Sequence, residues 1–209
     1  MNKKRKTISG AVFEGVQYIF AALFIAMFLQ SQVLAMSVVN QQSMENTFLA
    51  GEKLVVEKIS YGMQEPERGD IIVFLNDETW GETNTKGLKN RLKIYFNDLS
   101  LRLDGKYRED RLIKRVIAVG GDEIVIKEGY VYLNGEKLEE PYTKTSTYAQ
   151  NISVIVPEGY VYVLGDNRER SIDSRVFGSI EIEHIEGRVI FRLLPLKRMG
   201  NPNVSYMVK

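Results

Sequence analysis

The amino-acid sequence predicts a mainly β protein: a mostly antiparallel β body with a small inserted lobe containing a helix, preceded by one N-terminal transmembrane helix. Three observations predict this fold class. A long apolar segment lies near the N-terminus, short segments rich in Val, Ile and Tyr follow it, and a polar segment with helical spacing interrupts them. The 209 residues are sufficient for one domain of moderate size and an anchor.

The first predicted element is a helix over Val16–Val39, which follows the basic sequence Met-Asn-Lys-Lys-Arg-Lys. Its polar interruptions are uncharged, and Gln30 and Gln32 are among them. A helix of this length spans about 36 Å, which is enough to cross a bilayer with some tilt. Because basic segments stay in the cytoplasm, residues 1–15 are predicted to be cytoplasmic and the chain after residue 39 extracytoplasmic.

A cleaved signal peptide is the alternative interpretation of this segment. Ile19–Leu29 has about the right length for its apolar region, and small residues near Ala35 are compatible with a cleavage site. The apolar character resumes over Val33–Val39, which favours an uncleaved anchor in the cell membrane.

The chain after the anchor contains short apolar segments with the length and composition of β-strands. They are Lys53–Ile59, Asp70–Leu75, Arg111–Val119, Glu123–Lys127, Tyr130–Leu133, Val154–Val156, Tyr160–Leu164 and Val189–Leu194. Asn134-Gly135 predicts a hairpin because both residues accept positive φ, and Pro157-Glu158-Gly159 predicts a turn. We therefore expect one extracytoplasmic domain over residues 40–199, followed by a C-terminal tail over residues 200–209.

Residues 76–110 are polar and charged, and they form the predicted inserted lobe. Apolar side chains recur in this segment at helical spacing, namely Leu88, Leu92, Tyr95, Phe96, Leu99 and Leu103. The spacing predicts an amphipathic helix. A peripheral lobe that packs on the β body is the favoured interpretation, and binding to a membrane surface or a partner is the alternative.

The composition excludes several kinds of chemistry. The chain has no cysteine and one histidine, so a thiol nucleophile, a disulfide and a multi-histidine metal site are excluded. The net charge of +1 gives no indication of a nucleic-acid partner. We interpret His184 as a surface residue rather than the base of a Ser-His pair, because it lies in a polar stretch without an accompanying motif. In a hydrolase of this composition a lysine is the most available base.

Ser43 and Lys114 are the candidate reactive residues. Ser43 lies four residues beyond Val39, so its hydroxyl is predicted to stay within about 14 Å of the membrane surface. Lys114 lies in the strand Arg111–Val119, where alternation places it on an apolar face. Burial lowers the pKa of a lysine, and a neutral amine can take a proton from a serine and pass it to a leaving amine. A lysine at the edge of a sheet that extends into solvent is the alternative interpretation.

A third segment, from Gly165 to Arg175, follows a predicted strand and is dense in hydrogen-bonding groups. A calcium site would require more carboxylates and fewer arginines. We interpret the segment as a support for the site, in which Asp173 and Arg175 hold each other and Ser171 reaches the amine of Lys114.

Together these segments resemble the bacterial type I signal peptidase family, whose members use a Ser-Lys dyad. The resemblance rests on Ser43-Met44-Glu45-Asn46-Thr47, Gly69-Asp70-Ile71-Ile72-Val73-Phe74, Lys114-Arg115-Val116-Ile117-Ala118-Val119-Gly120-Gly121-Asp122 and the segment from Gly165 to Arg175. The segments follow the family's order, and the last one matches its pattern at every fixed position.

The resemblance implies a membrane-bound serine endopeptidase that removes N-terminal signal peptides from exported preproteins, cutting after small residues, without a metal or a cofactor. It implies that Ser43 is the nucleophile, that Lys114 is the general base and that Ser171 orients the amine. Supporting roles are implied for Arg115, Asp166, Asp173 and Arg175. The implied partners are the signal peptides of preproteins and the lipid bilayer, with no nucleic acid.

Two positions depart from the family's pattern. Asn46 replaces a proline of the first motif, and asparagine holds a turn less rigidly than proline. Gln41 stands where the family usually has a small or hydroxylated residue. With the backbone N–H of Ser43, this position belongs to the implied oxyanion region, where loss of one donor costs on the order of 10²–10³ in rate.

Two other functions compete with the leading one. A relative without enzymatic activity would act as an assembly factor or chaperone for surface or pilus proteins, and the altered first motif motivates this alternative. Retention of Ser43 and Lys114 argues against it. A self-cleaving repressor would also use a Ser-Lys pair, but the apolar N-terminal segment and the lack of a basic recognition helix disfavour it.

Overall fold

The structure of the chain is a computed structural model that describes residues 8–62, 64–75, 84–106, 108, 111–148 and 151–202. Side chains of residues 8–11 are not among the described ones. The first seven residues of the predicted cytoplasmic segment, residues 76–83 of the inserted lobe and residues 203–209 of the predicted tail lie outside the described residues.

The N-terminal helix α1 extends over Ile8–Gln32 and contains the apolar span Val12–Gln32, whose mean hydropathy is 1.9. The most apolar 18-residue window of this span has no buried residue, although Ser31 near its C-terminal end is buried. Its 21 residues cover about 31 Å at ~1.5 Å per residue, close to the thickness of the hydrocarbon core of a bilayer. The helix is thus long and apolar enough to cross a membrane.

The predicted helix over Val16–Val39 is wrong at its C-terminal end. Helix α1 ends at Gln32, and Leu34–Val38 forms strand β1. Strand β1 pairs antiparallel with β2, Lys53–Glu57, from Leu34 opposite Glu57 to Val38 opposite Lys53. A continuous apolar run is compatible with either a helix or a strand, and pairing with β2 selects the strand.

All strand pairs in the described residues are antiparallel, which confirms the predicted fold class. A seven-stranded sheet has the order β1-β2-β11-β3-β4-β9-β10, and a four-stranded sheet has the order β7-β6-β5-β8. The remaining strands are β3 Ile71–Leu75, β4 Arg111–Val119, β5 Glu123–Lys127, β6 Tyr130–Leu133, β7 Glu136–Lys137, β8 Ile152–Ile155, β9 Tyr160–Leu164, β10 Ile180–Glu181 and β11 Ile185–Leu194. Every predicted strand is present, while β1, β7 and β10 were not predicted.

The predicted turns are also present. Asn134 and Gly135 have φ values of 52° and 86° and join β6 to β7, as expected for a hairpin turn that requires two positive φ angles. Between β8 and β9, the backbone N–H of Tyr160 donates to the carbonyl oxygen of Pro157 at 3.1 Å.

Strand β4 lies inside the larger sheet and is covered on both faces. Ile113 packs with Met44 and Phe48 in one apolar cluster, whereas Val116 packs with Ile72 in another. A strand with two covered faces buries consecutive residues rather than alternate ones. This position buries both polar residues that stand at the centre of the strand.

The inserted lobe contains the predicted helix, α2, over Leu88–Leu103. The lobe contacts the β body, as expected, but it does so mainly through polar groups. Arg91 on the body-facing side donates to the carbonyl oxygens of Gln32, at 3.1 Å, and Lys58, at 2.9 Å. The apolar side chains Leu88, Phe96, Leu99 and Leu103 are 40–80% exposed.

Candidate active site

Ser43 lies in a single turn of 3-10 helix, Gln42–Met44, on the connection between β1 and β2. Met44, the next residue, is 1% exposed and anchors the turn in an apolar cluster. The Ser43 side chain is itself 6% exposed. The nucleophile candidate is therefore held on a short, anchored bend rather than on a free loop.

Lys114 on β4 points at this bend. Its Nζ lies 2.8 Å from Ser43 Oγ and 3.2 Å from the carbonyl oxygen of Ile113, and the residue is 1% exposed. A charged amine at this position donates to the hydroxyl oxygen, while a neutral amine can accept the hydroxyl proton. The predicted pair thus has the distance that proton transfer requires.

Burial lowers the pKa of the Lys114 amine from 10.5 to about 8, and the charge of Asp173 opposes this shift. Burial acts in this direction because the ammonium loses its hydration in an apolar environment. With a pKa near 8, about a tenth of the molecules carry a neutral amine at pH 7 and about half at pH 8. The amine is therefore available as a base in the physiological range.

The segment that follows β9 holds the Ser43 bend from the other side. The backbone N–H of Asn167 donates to the carbonyl oxygen of Ser43 at 2.9 Å. Its side-chain amide donates to the carbonyl oxygen of Gln42 at 3.1 Å and to Glu45 Oε2 at 3.2 Å. No individual role was predicted for Asn167, because its contacts depend on which loops meet in space.

Arg115 and Asp166 form a bidentate ion pair below the site. Arg115 Nε donates to Asp166 Oδ1 at 2.8 Å, Nη2 donates to Oδ2 at 2.6 Å, and both side chains are fully buried. Arg115 Nη1 also donates to the carbonyl oxygen of Gly69 at 3.1 Å, and the Thr47 hydroxyl donates to Asp166. The pair therefore joins β4 to the segments that carry Ser43 and Asp166.

Asn46, the residue in place of the family's proline, contributes to the same connection. Its side-chain Nδ2 donates to the backbone carbonyl oxygen of Asp166 at 2.8 Å. Proline has no group that can make this bond. In this chain a hydrogen bond fixes the bend at a position where the family's pattern relies on a rigid ring.

Asp173 and Arg175 hold each other, as predicted. Arg175 Nε and Nη2 donate to the two carboxylate oxygens of Asp173 at 2.8 Å and 2.9 Å. Asp173 also accepts from the backbone N–H of Gly165 at 3.0 Å and caps the short helix α3, Ser174–Phe177. The two residues therefore shape the loop around the site.

Ser171 does not make its predicted hydrogen bond to the Lys114 amine in this structure. Its buried hydroxyl oxygen has no hydrogen-bond partner among the described residues, and it lies against Gly165. A Cβ on Gly165 would collide with this hydroxyl and with the carbonyl oxygen of Ser43. Ser171 thus fills space beside the bend, and only a glycine fits between them.

A cavity of about 890 Å³ opens beside Ser43. Its walls come from the end of β1, the bend, β4 and the C-terminal part of α2, and include Met36, Gln41, Ser43, Ile113, Leu101 and Arg102. Gln41 lies on this wall with extended backbone, immediately before the 3-10 turn. The predicted oxyanion region therefore faces the space where a substrate would lie.

A buried network of charges beside the cavity was not predicted. Lys58 Nζ donates to Glu186 Oε1 at 2.9 Å, and Arg111 Nε donates to Glu186 Oε2 at 2.7 Å. Burial alone would raise the pKa of Glu186, but the charges of Arg111 and Lys58 lower it to about 2. Arg111 Nη2 also donates to Asp98 of α2 at 2.6 Å. The network fixes α2 against the β body, and no local sequence pattern connects its four members.

His184 lies in the turn before β11, where its Nε2 is 4.0 Å from Glu181 Oε2. The hydroxyl of Ser43 is bound by Lys114 instead. The structure therefore separates the single histidine from the hydroxyl and brings the lysine to it.

The chain is similar to known proteins over most of its length. The model of the family described as signal peptidase, peptidase S26, matches residues 12–194. A probable signal peptidase I-2 from Synechocystis is 34% identical over 179 residues, which cover 86% of this chain and 72% of that protein. A signal peptidase I from Leptolyngbya laminosa is 32% identical over 197 residues, which cover 93% of this chain and 87% of that protein.

Among solved structures, a signal peptidase I from Enterococcus faecalis V583 is 28% identical, with a TM-score of 0.40, and the match covers 60% of this chain and 97% of that chain. The family match over residues 12–194 includes both residues of the Ser-Lys pair and all the segments that surround it. On the family match and the two relatives from Synechocystis and Leptolyngbya laminosa, the chain belongs to the signal peptidase family, peptidase S26.

Proposed function

We propose that this chain removes signal peptides from preproteins as a serine endopeptidase in which Ser43 is the nucleophile and Lys114 the general base. Membership of the signal peptidase family identifies the reaction. The observation that carries the residue assignment is the distance of 2.8 Å between Lys114 Nζ and Ser43 Oγ in a buried site.

The proposed reaction has two steps, and the same amine acts in both. As Ser43 Oγ attacks the scissile carbonyl carbon, the neutral amine of Lys114 takes the hydroxyl proton. The resulting ammonium gives this proton to the leaving amine when the peptide bond breaks. In the second step the amine takes a proton from water as the water attacks the acyl-enzyme, and returns it to Ser43 Oγ as the product carboxylate leaves.

The oxyanion of each tetrahedral intermediate is proposed to be bound at the start of the 3-10 turn. The first N–H groups of such a turn have no partner within the turn, so the N–H of Ser43 is a candidate donor. Gln41 lines the same cavity, and its side-chain amide is the second candidate. A donor in such a position is worth on the order of 10²–10³ in rate.

Supporting roles are assigned to two ion pairs. Arg115 with Asp166 positions β4 relative to the bend, and Asp173 with Arg175 shapes the loop that contacts it. These residues act through the placement of Ser43 and Lys114 and do not touch the reacting atoms.

The substrate is proposed to bind along the edge of the larger sheet. Strand β1 is an edge strand, and its residues Met36, Ser37 and Val38 line the cavity beside Ser43. An extended peptide can add to such an edge through main-chain hydrogen bonds. Because the anchor and a signal peptide share one bilayer, the cleavage site approaches Ser43 with little loss of translational freedom.

The orientation of the chain in the membrane is proposed from the positive charge of its N-terminal segment. The chain is membrane-anchored through α1, and the basic N-terminal sequence favours a cytoplasmic N-terminus. The domain over residues 40–199 is then extracytoplasmic, on the side where the cleavage sites of exported preproteins emerge.

The test uses the purified full-length chain with a model preprotein, followed by N-terminal mapping of the product. Ser43→Ala and Lys114→Met are expected to lower cleavage at least about 10³-fold while the thermal unfolding of each variant stays cooperative. Lys53→Met is the matched control, since Lys53 lines the same cavity without contacting Ser43. Undiminished cleavage by either dyad variant would contradict the assignment, and binding by the wild type without turnover would favour the assembly-factor alternative.

A further inference from the structure

Helix α2 carries an apolar stripe that points away from the β body. At about 100° per residue, Leu88, Leu92, Phe96, Leu99 and Leu103 fall within an arc of about 80°. Four of them are strongly exposed: Leu88 is 53% exposed, Phe96 52%, Leu99 40% and Leu103 80%. A helix that only covered a protein core would turn these side chains inward.

The opposite side of α2 contacts the protein through polar groups. Arg91 donates to three backbone carbonyl oxygens, and Asp98 accepts hydrogen bonds from Arg108 Nε at 2.9 Å and Arg111 Nη2 at 2.6 Å. Ile94 is the one buried apolar residue of α2 among its described side chains. The ion pairs therefore fix the rotation of the helix, and they hold the apolar stripe outward.

The stripe lies next to the apolar surface of the anchor. Arg91 Nη1 donates to the carbonyl oxygen of Gln32, the last residue of α1. Leu29 of α1 and Leu99 of α2 line one cavity of about 470 Å³. Because the apolar span of α1 also ends at Gln32, the N-terminal half of α2 lies at the level where α1 leaves the hydrocarbon core.

Cations flank one edge of the stripe. Lys89 and Lys93 are exposed, lie within about 60° of its edge at about 100° per residue, and have no ion-pair partner among the described residues. Lysines beside an apolar helix face extend towards the phosphates of lipid headgroups. This combination of an apolar stripe, flanking cations and an adjoining transmembrane helix fits a lipid surface.

We propose that α2 is an interfacial helix whose apolar stripe binds the bilayer in which α1 is anchored. The inference concerns the seating of the domain on the membrane and does not depend on the catalytic assignments. Leu101 and Arg102 of α2 line the cavity beside Ser43, so the seated helix fixes the height and tilt of that cavity relative to the bilayer. Because α1 already holds the domain at the bilayer, the effective concentration of lipid near α2 is high. The stripe therefore requires little affinity for lipid of its own.

Because the chain contains no cysteine, single cysteines can be introduced for site-specific labelling. Single cysteines at Phe96 or Leu103, on the stripe, and at Asn90, an exposed position on another side of α2, are each labelled with a nitroxide. The full-length proteins are reconstituted in nanodiscs of phosphatidylcholine and phosphatidylglycerol. Accessibility of each label to oxygen, which concentrates in lipid, and to a water-soluble nickel chelate is then measured. The labels are repeated in a Ser43→Ala background, so that the result does not depend on activity.

Labels at Phe96 and Leu103 are expected to be more accessible to oxygen and several-fold less accessible to the nickel chelate than the label at Asn90. Equal accessibility at the three positions would overturn the proposal. Spin–spin broadening at Leu103 would place a second copy of the chain on the stripe and would overturn it as well.

A functional measurement gives an independent result. Phe96→Ser combined with Leu103→Ser is expected to lower cleavage of a bilayer-inserted preprotein about tenfold, because a mis-seated cavity loses alignment with its substrate. Cleavage of a short soluble peptide in detergent is expected to stay at the wild-type rate. Equal cleavage of the bilayer-inserted preprotein by the variant and the wild type would contradict the proposed seating.

Discussion

Lys114 and Arg115 are consecutive residues of β4 and both are almost completely buried, but only Arg115 has a carboxylate partner. Arg115 has a carboxylate partner in Asp166, with which it makes two hydrogen bonds. Lys114 has no carboxylate within hydrogen-bond distance among the described residues, and its amine contacts the Ser43 hydroxyl and a backbone carbonyl oxygen. A buried charge without a partner is costly, so the lysine, and not the arginine, is the residue that loses its proton.

This contrast determines the expected pH dependence of the reaction. The pKa of Lys114 is lowered to about 8, and only the neutral amine acts as a base. We expect kcat/KM to rise about tenfold for each pH unit below pH 8 and to reach a plateau above it. The measurement is a pH profile of kcat/KM with a soluble peptide substrate in detergent. A profile that is flat between pH 6 and 9 would rule out Lys114 as the base.

The same pKa predicts that the dyad reduces stability at neutral pH. The unfolded chain binds the Lys114 proton up to about pH 10.5, whereas the folded chain releases it near 8. The penalty for burying the charge is therefore complete below pH 8, and it disappears as the pH rises towards 10.5. A lowering of the Lys114 pKa from 10.5 to about 8 corresponds to a destabilisation of roughly 3 kcal/mol. A substitution of Lys114 removes this penalty, but it also removes the hydrogen bond to Ser43, which is worth about 1 kcal/mol.

Lys114→Met is therefore expected to raise the free energy of unfolding by about 2 kcal/mol at pH 7, with the gain vanishing near pH 10. Chemical unfolding at the two pH values measures it. Lys106→Met is the control, because Lys106 is exposed and its removal should change stability little at either pH. A Lys114→Met variant that is less stable than the wild type at pH 7 would contradict this prediction.

Asn46 offers a prediction specific to this chain. Asn46→Ala removes the hydrogen bond from Nδ2 to the carbonyl oxygen of Asp166, and it should lower the free energy of unfolding by about 1 kcal/mol. The rate constant kcat should fall while KM stays nearly constant, because the bond positions Ser43 and does not contact substrate. Asn46→Asp keeps the shape and removes the donor, so it should show the same loss of kcat. Wild-type kcat in both variants would show that the bond has no positioning role.

The close approach at Gly165 leads to a further prediction. A Cβ at this position would lie too close to the backbone carbonyl oxygen of Ser43 and to the Ser171 hydroxyl. The bend must shift to accept it, so Gly165→Ala should lower the free energy of unfolding by about 1–3 kcal/mol and lower kcat more than tenfold, since about 1 Å of misplacement costs on the order of 10²-fold. Gly15→Ala is the control, because the added Cβ meets nothing within 4 Å beyond the adjacent backbone of its own helix. Unchanged kcat in Gly165→Ala would mean that the bend tolerates displacement.

The strands were predictable because each depends on a local signal, whereas the pairing of Ser43 with Lys114 was implied by the family resemblance. Arg111–Val119 and Tyr160–Leu164 are short, rich in branched or aromatic residues and bounded by turn residues, and they are strands with those bounds. Lys114 is a lysine within a mostly apolar strand, a pattern that predicts an unusual buried amine. The structure confirmed that it is buried and placed it beside Ser43.

The errors occur where the surroundings determine the outcome. Strand β1 continues the apolar character of α1, so the sequence shows no boundary at Gln32, and only pairing with β2 creates one. The spacing in α2 correctly predicted an amphipathic helix, but the periodicity does not show which face contacts protein. In α2 the polar side makes the hydrogen bonds to the β body, and the side chains of Leu88, Phe96 and Leu103 are exposed.

Other features depend on contacts between distant segments. Glu186 is separated by 128 residues from Lys58 in the sequence, and their pairing follows from the order of strands in the sheet. The Ser171 hydroxyl was expected at the Lys114 amine on the basis of a resemblance, and its actual direction depends on how the loop packs against Gly165. No short motif contains this information.

The most direct test of the dyad is a titration of the Lys114 amine itself. The full-length chain is prepared in detergent with isotope-labelled lysine, and the Lys114 resonance is assigned by its loss in Lys114→Met and followed by NMR from pH 6 to 11. The account predicts a midpoint at about 8, which shifts when Ser43→Ala removes the hydroxyl in contact with the amine. A midpoint near 10.5, with no response to Ser43→Ala, would show a solvated ammonium and would contradict the proposed mechanism.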